Sequence, residues 1–125
     1  MNSVDEHLEK AESNLAFLNS LNIMQDDART WAVTVLFYHA LHLASALIHH
    51  MGQEHGISHS ERFNKLRPFI SAAGFSYYQQ LYNRSRLIRY DQLAETAVDY
   101  NFLFSESYQP LLKELQELWL TLTQT

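Results

Sequence analysis

The sequence predicts an all-α protein, an antiparallel up-and-down bundle of four long helices and one short helix, forming a single domain over residues 1–125. Three observations point there. Apolar residues make up 46% and charged residues 18% of 125 positions, enough for one buried core and too few for two. Glycine and proline together occupy five positions, well below what turn-rich all-β folds use. Apolar side chains recur at steps of three and four along most of the chain, the spacing that lines one face of a helix.

The first helix follows from residues 4–21. Val4, Leu8, Ala11, Leu15 and Leu18 fall at alternating steps of four and three, leaving Glu6, Glu9, Lys10 and Glu12 outside the stripe. Asn22 closes it. Asp26 and Asp27 supply a cap and favourable first-turn charge for a second helix reaching about Met51, with Gly52 as its stop. No Asp, Glu, Lys or Arg occurs over 31–53, so this helix is either a membrane span or the centre of a bundle. Four histidines in the run (His39, His42, His49 and His50), and flanks without an aromatic belt or cationic cluster, favour the central position and no membrane.

After a loop at 52–57, SHSE at 58–61 has capping-box spacing and opens a short third helix. Phe63, Leu66 and Ile70 form its inner face, and Pro68 ends or kinks it. AAG at 72–74 predicts a further break. Ser76 then caps a fourth helix over 77–97, with Tyr77, Leu81, Ser85 and Ile88 as its core stripe. A fifth helix from about Ser107 places Tyr108, Leu111, Leu112, Leu115, Leu118, Trp119 and Leu122 at heptad-like spacing, with Pro110 tolerated in its first turn. That stripe faces either the core or a second subunit.

Net charge is -5, but its distribution says more than its sum. Residues 60–90 carry Arg62, Lys65, Arg67, Arg84, Arg86 and Arg89 against Glu61 alone, while the segments on either side are acidic. Such a local excess attracts phosphate or acidic groups, or else neutralises acidic neighbours within the fold. On a helix, Arg86 and Arg89 stand roughly 60 degrees apart, with Tyr82, Asn83 and Tyr90 on or beside the same face. Planar guanidinium groups recognise phosphate bidentately and tyrosine rings stack on bases, so this face is a candidate for RNA or nucleotide binding. A solvated face with intrahelical pairs is the alternative. Arg84 points nearer the core and needs a carboxylate such as Asp91, or an acid from another helix.

Six of seven histidines lie between positions 39 and 59. His39 and His42, three apart on one helix, raise a metal-binding bundle as a further reading, but the carboxylates that accompany di-metal bundle sites are missing between Trp31 and Gln53 of that helix. Polar core or interface histidines are the simpler reading, and neither a metal nor any other cofactor is expected. With no cysteine there is no disulfide framework or thiolate nucleophile, and no phosphate loop, nucleophile elbow or His-Glu-x-x-His pattern occurs. MNSVDEHLEK has neither the basic nor the apolar region of a signal peptide, so a cytoplasmic location is expected.

FYHALHLASALI at 37–48, GISHSERF at 56–63, and the Arg-rich helix ending in RYDQLAE at 89–95 resemble the HEPN family of small helical bundles. Phe37, Tyr38, Ala40, His42 and Ala44 match the family's second-helix pattern, and Ser58 and His59 match its later Ser-His pair. The resemblance implies a bundle that commonly dimerises, with a cleft lined by the Arg-bearing helix. It also implies a role in toxin-antitoxin or defence systems, in some cases beside a nucleotidyltransferase partner. Ribonuclease members carry Arg followed after four to six residues by His. Here neither Arg84 nor Arg86 has such a His; Arg89, Tyr90, Asp91, Gln92 and Leu93 fill those places. A guanidinium cannot relay a proton near neutrality. The expectation is therefore binding without catalysis through Arg86, Arg89, Tyr90, Tyr82, Asp91 and Asn83. A metal-independent endoribonuclease with His59 or His42 as general base is the alternative.

Overall fold

The computed structural model describes residues 4–52, 59–91 and 97–124, without the side chains of 59, 60, 63, 90, 91, 97 and 98. Among the described residues the secondary structure is entirely helical: α1 (Val4–Ser20), α2 (Asp26–His50), α3 (His59–Leu66), a 3-10 turn (Arg67–Phe69), α4 (Ala72–Asp91), α5 (Ala97–Leu103), a π turn (Phe104–Tyr108) and α6 (Gln109–Thr123). The four long helices of the sequence reading correspond to α1, α2, α4 and the run from α5 through α6, with α3 as the short one.

α2 is the axis of the bundle. By length and composition it is apolar enough to cross a membrane, yet 78% of its most apolar window is buried inside the molecule. Its neighbours α1, α4 and α6 consume that surface as core. Leu36, Phe37, Leu47 and Ile48 are essentially sealed, and they meet Tyr78 and Leu81 of α4 and Leu111 and Leu115 of α6. At about 25 cal/mol per Å² of apolar surface removed from water, this cluster dominates the stability.

The helix ends follow local chemistry. Asn22 forms a turn by accepting from the Met24 N–H at 3.2 Å. Gln25, extended, precedes α2 without a side-chain cap, so Asp26 and Asp27 act on the first-turn dipole and do not cap. Gly52 ends α2 at φ +80, its N–H donating to His49 O, as expected of a glycine stop. α3 gives way to the 3-10 turn at Arg67, one residue before Pro68. Ser58 lies outside the described residues.

Two boundaries differ from the sequence reading. AAG at 72–74 is not a break, and Ser76 is not the cap: α4 starts at Ala72. Ser71 caps it, accepting from the Gly74 N–H at 2.9 Å, while Glu114 of α6 accepts from the Ser71 N–H at 3.1 Å and from its hydroxyl at 2.5 Å. Gly74 serves this approach, since a Cβ there would meet the Glu114 carboxylate. α4 buries Leu81, Ser85 and Ile88 as expected, with Tyr78 sealed beside them and Tyr77 half-buried against the same core. The last helical run also begins earlier than Ser107. Tyr100 and Leu103 already face the core, and the Gln109 N–H reaches Phe104 O across the π turn. Pro110 supplies no N–H to the ladder and crowds the preceding turn; the wider π turn accommodates it and lets the consecutive Ser107 and Tyr108 both turn inward.

Candidate functional site

The positive segment does not gather into one patch. Arg62 is 8% exposed and lies beside Tyr78, whose hydroxyl pKa is pushed up by burial and only partly opposed by that guanidinium. Arg67 stacks on Phe75, 5.0 Å from the ring centre. Arg84 reaches Asp99 of α5 at 3.4 Å, the acid from another helix that its position near the core requires. Each of these charges is used within the fold.

Arg89 is the best-positioned of the set. Its Nη1 donates to the Tyr38 hydroxyl at 3.0 Å, its Nε to the Ser85 carbonyl at 3.3 Å and its Nη2 to the Ser85 hydroxyl at 3.4 Å. The guanidinium also lies 5.6 Å from the Tyr38 ring centre, a cation–π distance. Ser85 is fully buried in the α4 stripe and bonds its hydroxyl to Tyr82 O, so both anchors belong to packed helices. Arg89 itself is half-buried at the edge of the α2–α4 seam. Restricting a long side chain in this way removes rotamer entropy before any ligand arrives.

The remaining predicted ligand-binding residues divide. Arg86 is exposed and, among the described residues, has no hydrogen-bond or ion-pair partner; Asn83 is exposed beside it. Tyr82 is half-buried with its ring centre 5.6 Å from that of Phe37, so it packs against α2, the helix whose Tyr38 holds Arg89. The predicted common face is thus split between a seam (Tyr82, Arg89) and a solvated flank (Asn83, Arg86). The Tyr90, Asp91 and His59 side chains lie outside the described residues. Sequence reasoning placed Tyr38 only within a family pattern and Ser85 only in the core. The i,i+4 spacing of Ser85 and Arg89 was a readable signal for one anchor; Tyr38, on another helix, needed the tertiary fold.

His39 and His42 part company. His39 bonds the Tyr108 hydroxyl at 2.7 Å in the core, and desolvation lowers its pKa, favouring neutral imidazole. Burial pushes the Tyr108 hydroxyl upward, and Tyr100 beside it is pushed up to about 12. His42 meets His7 of α1, Nδ1 to Nδ1 at 3.0 Å, and His7 also lies 5.4 Å from the His49 ring. Among the described residues no group of three or more His, Asp or Glu is arranged to hold a metal ion. Comparison with family models, with curated proteins and with solved structures finds no match for this chain.

Proposed function

We propose that this chain is a HEPN-like bundle, its long helices antiparallel, that binds single-stranded RNA through Arg86 and Arg89 and does not cleave it. The observation that carries this reading is the anchoring of Arg89 by Tyr38 and Ser85, which holds a planar, permanently charged fork at the rim of the α2–α4 seam. Such a fork suits a phosphate better than a flexible cation does. Arg86, exposed one turn earlier, adds a second positive charge at phosphate reach, and Asn83, Tyr82, Tyr90 and Asp91 border the same stretch of α4. The lack of a correctly spaced histidine after the arginines favours binding over chemistry, because attack by a 2′-hydroxyl needs a proton acceptor that titrates near neutrality. The family resemblance supports a homodimer and a nucleotidyltransferase as protein partners, and a cytoplasmic setting.

Fluorescence anisotropy with a labelled single-stranded RNA in EDTA tests this. Saturable binding that falls at least about tenfold in Arg86→Ala/Arg89→Ala, with the RNA intact on a gel, is the expected result. Unchanged binding in the double variant contradicts the site. RNA cleavage that disappears with His42→Ala or His59→Ala contradicts the assignment of a non-catalytic role.

A further inference from the structure

α1 packs along α2 and makes no comparable contact with α6. Two cavities open along the resulting seam. One, of about 320 Å³, is lined by Leu8 of α1, Leu47 of α2, and Leu115, Trp119 and Leu120 of α6. The other, of about 360 Å³, lies between Leu15 and Leu18 of α1 and Phe104, Tyr108 and Leu112 of the final helical run. Both lie on the side of α1 that faces the final helical run, between Leu8 and Leu18, about 15 Å apart at 1.5 Å per residue, and Leu43 and Leu47 of the central helix floor the first of them. Leu15 and Leu120 remain 37% and 55% exposed along the seam.

We propose that this seam is a groove receiving an amphipathic helix of a partner protein, with aliphatic residues on one face and lysine or arginine flanking them. A helix suits a trough of that length bounded by two helices, laying residues spaced three and four apart into the paired cavities. The charge requirement comes from the rim. α1 carries Asp5, Glu6, Glu9 and Glu12 against Lys10, and Asp5 and Glu12 stand within roughly 60 degrees of Leu8 around the helix. On the opposite rim, Lys113 and Glu117 lie 4.0 Å apart and cancel. A basic helix is therefore attracted and an acidic one repelled. The inference is independent of the arginine face on α4.

The test uses Trp119, made the sole tryptophan by Trp31→Phe at a position 63% exposed. A synthetic 14-residue peptide with leucine at heptad core positions and lysine elsewhere is titrated, alongside a twin carrying glutamate for lysine. The lysine peptide is expected to shift Trp119 emission saturably, to bind about tenfold or more tightly than its twin, and to lose about tenfold in Leu15→Gln/Leu120→Gln with helicity unchanged. No response, equal responses to both peptides, or a response indifferent to the groove variant overturns the proposal. A self-dimer that the same variant dissolves also overturns it, assigning the groove to a second copy.

Discussion

The hydroxyl of Tyr38 is a single atom with a disproportionate role, because it fixes where the Arg89 charge sits. Tyr38→Phe keeps the ring under the guanidinium and removes only that bond. An RNA affinity loss of about two- to fivefold is expected, because Arg89 must then be ordered on binding, together with about 0.5–1 kcal/mol of folding stability for the lost hydrogen bond; anisotropy and urea denaturation measure the two. At His39 the consequence is pH-dependent stability. Its folded pKa is lowered by burial, whereas the unfolded chain titrates near about 6.5, so the unfolded state binds more protons below that pH. The contribution is complete above the unfolded value and is lost as pH falls through the folded pKa. Urea unfolding between pH 7.5 and 5 should reveal declining stability that flattens in His39→Gln; equal slopes in both proteins contradict this.

Helix α4 marks what was and was not legible among the elements. The stripe Leu81, Ser85 and Ile88 followed from spacing alone, and the stops at Gly52 and before Pro68 followed from backbone chemistry. The start of α4 did not, because a small-residue run that reads locally as a break is held helical by Glu114 from more than forty positions away. The helical stretch before Ser107 was missed for a related reason: the π turn shifts the register, so Tyr100 and Leu103 do not continue the downstream heptad. Gly74 and Glu114 form a testable pair. Glu114→Ala should cost about 1 kcal/mol as a lost cap. Gly74→Ala gains up to about 1 kcal/mol of helix propensity and loses roughly the same by displacing the carboxylate. In the Gly74→Ala background, Glu114→Ala should therefore be nearly neutral; full additivity of the two unfolding energies contradicts the described contact.

For the whole molecule, the composition foretold an all-helical fold with one dominant apolar helix, and α2 at the centre of the core answers to that reading. Leu47→Ala, which opens a cavity at a sealed position, should lower stability by about 2–5 kcal/mol in equilibrium unfolding. The candidate site was half legible. Local charge singled out residues 60–90, but the fold distributes that charge: Arg62, Arg67 and Arg84 engage Tyr78, Phe75 and Asp99, while Arg89 lies at the α2–α4 seam and Arg86 on its flank. Sequence spacing treats side chains on one helix as equivalent, and only the neighbouring helices separate them. Contact of Arg86 and Arg89 with RNA phosphates, as proposed, is tested most directly by the salt dependence of binding to a single-stranded RNA. Each phosphate contact contributes about 0.7 to the slope of log affinity against log salt, so Arg86→Ala/Arg89→Ala should flatten it by about 1.4. An unaltered slope in the double variant contradicts the account.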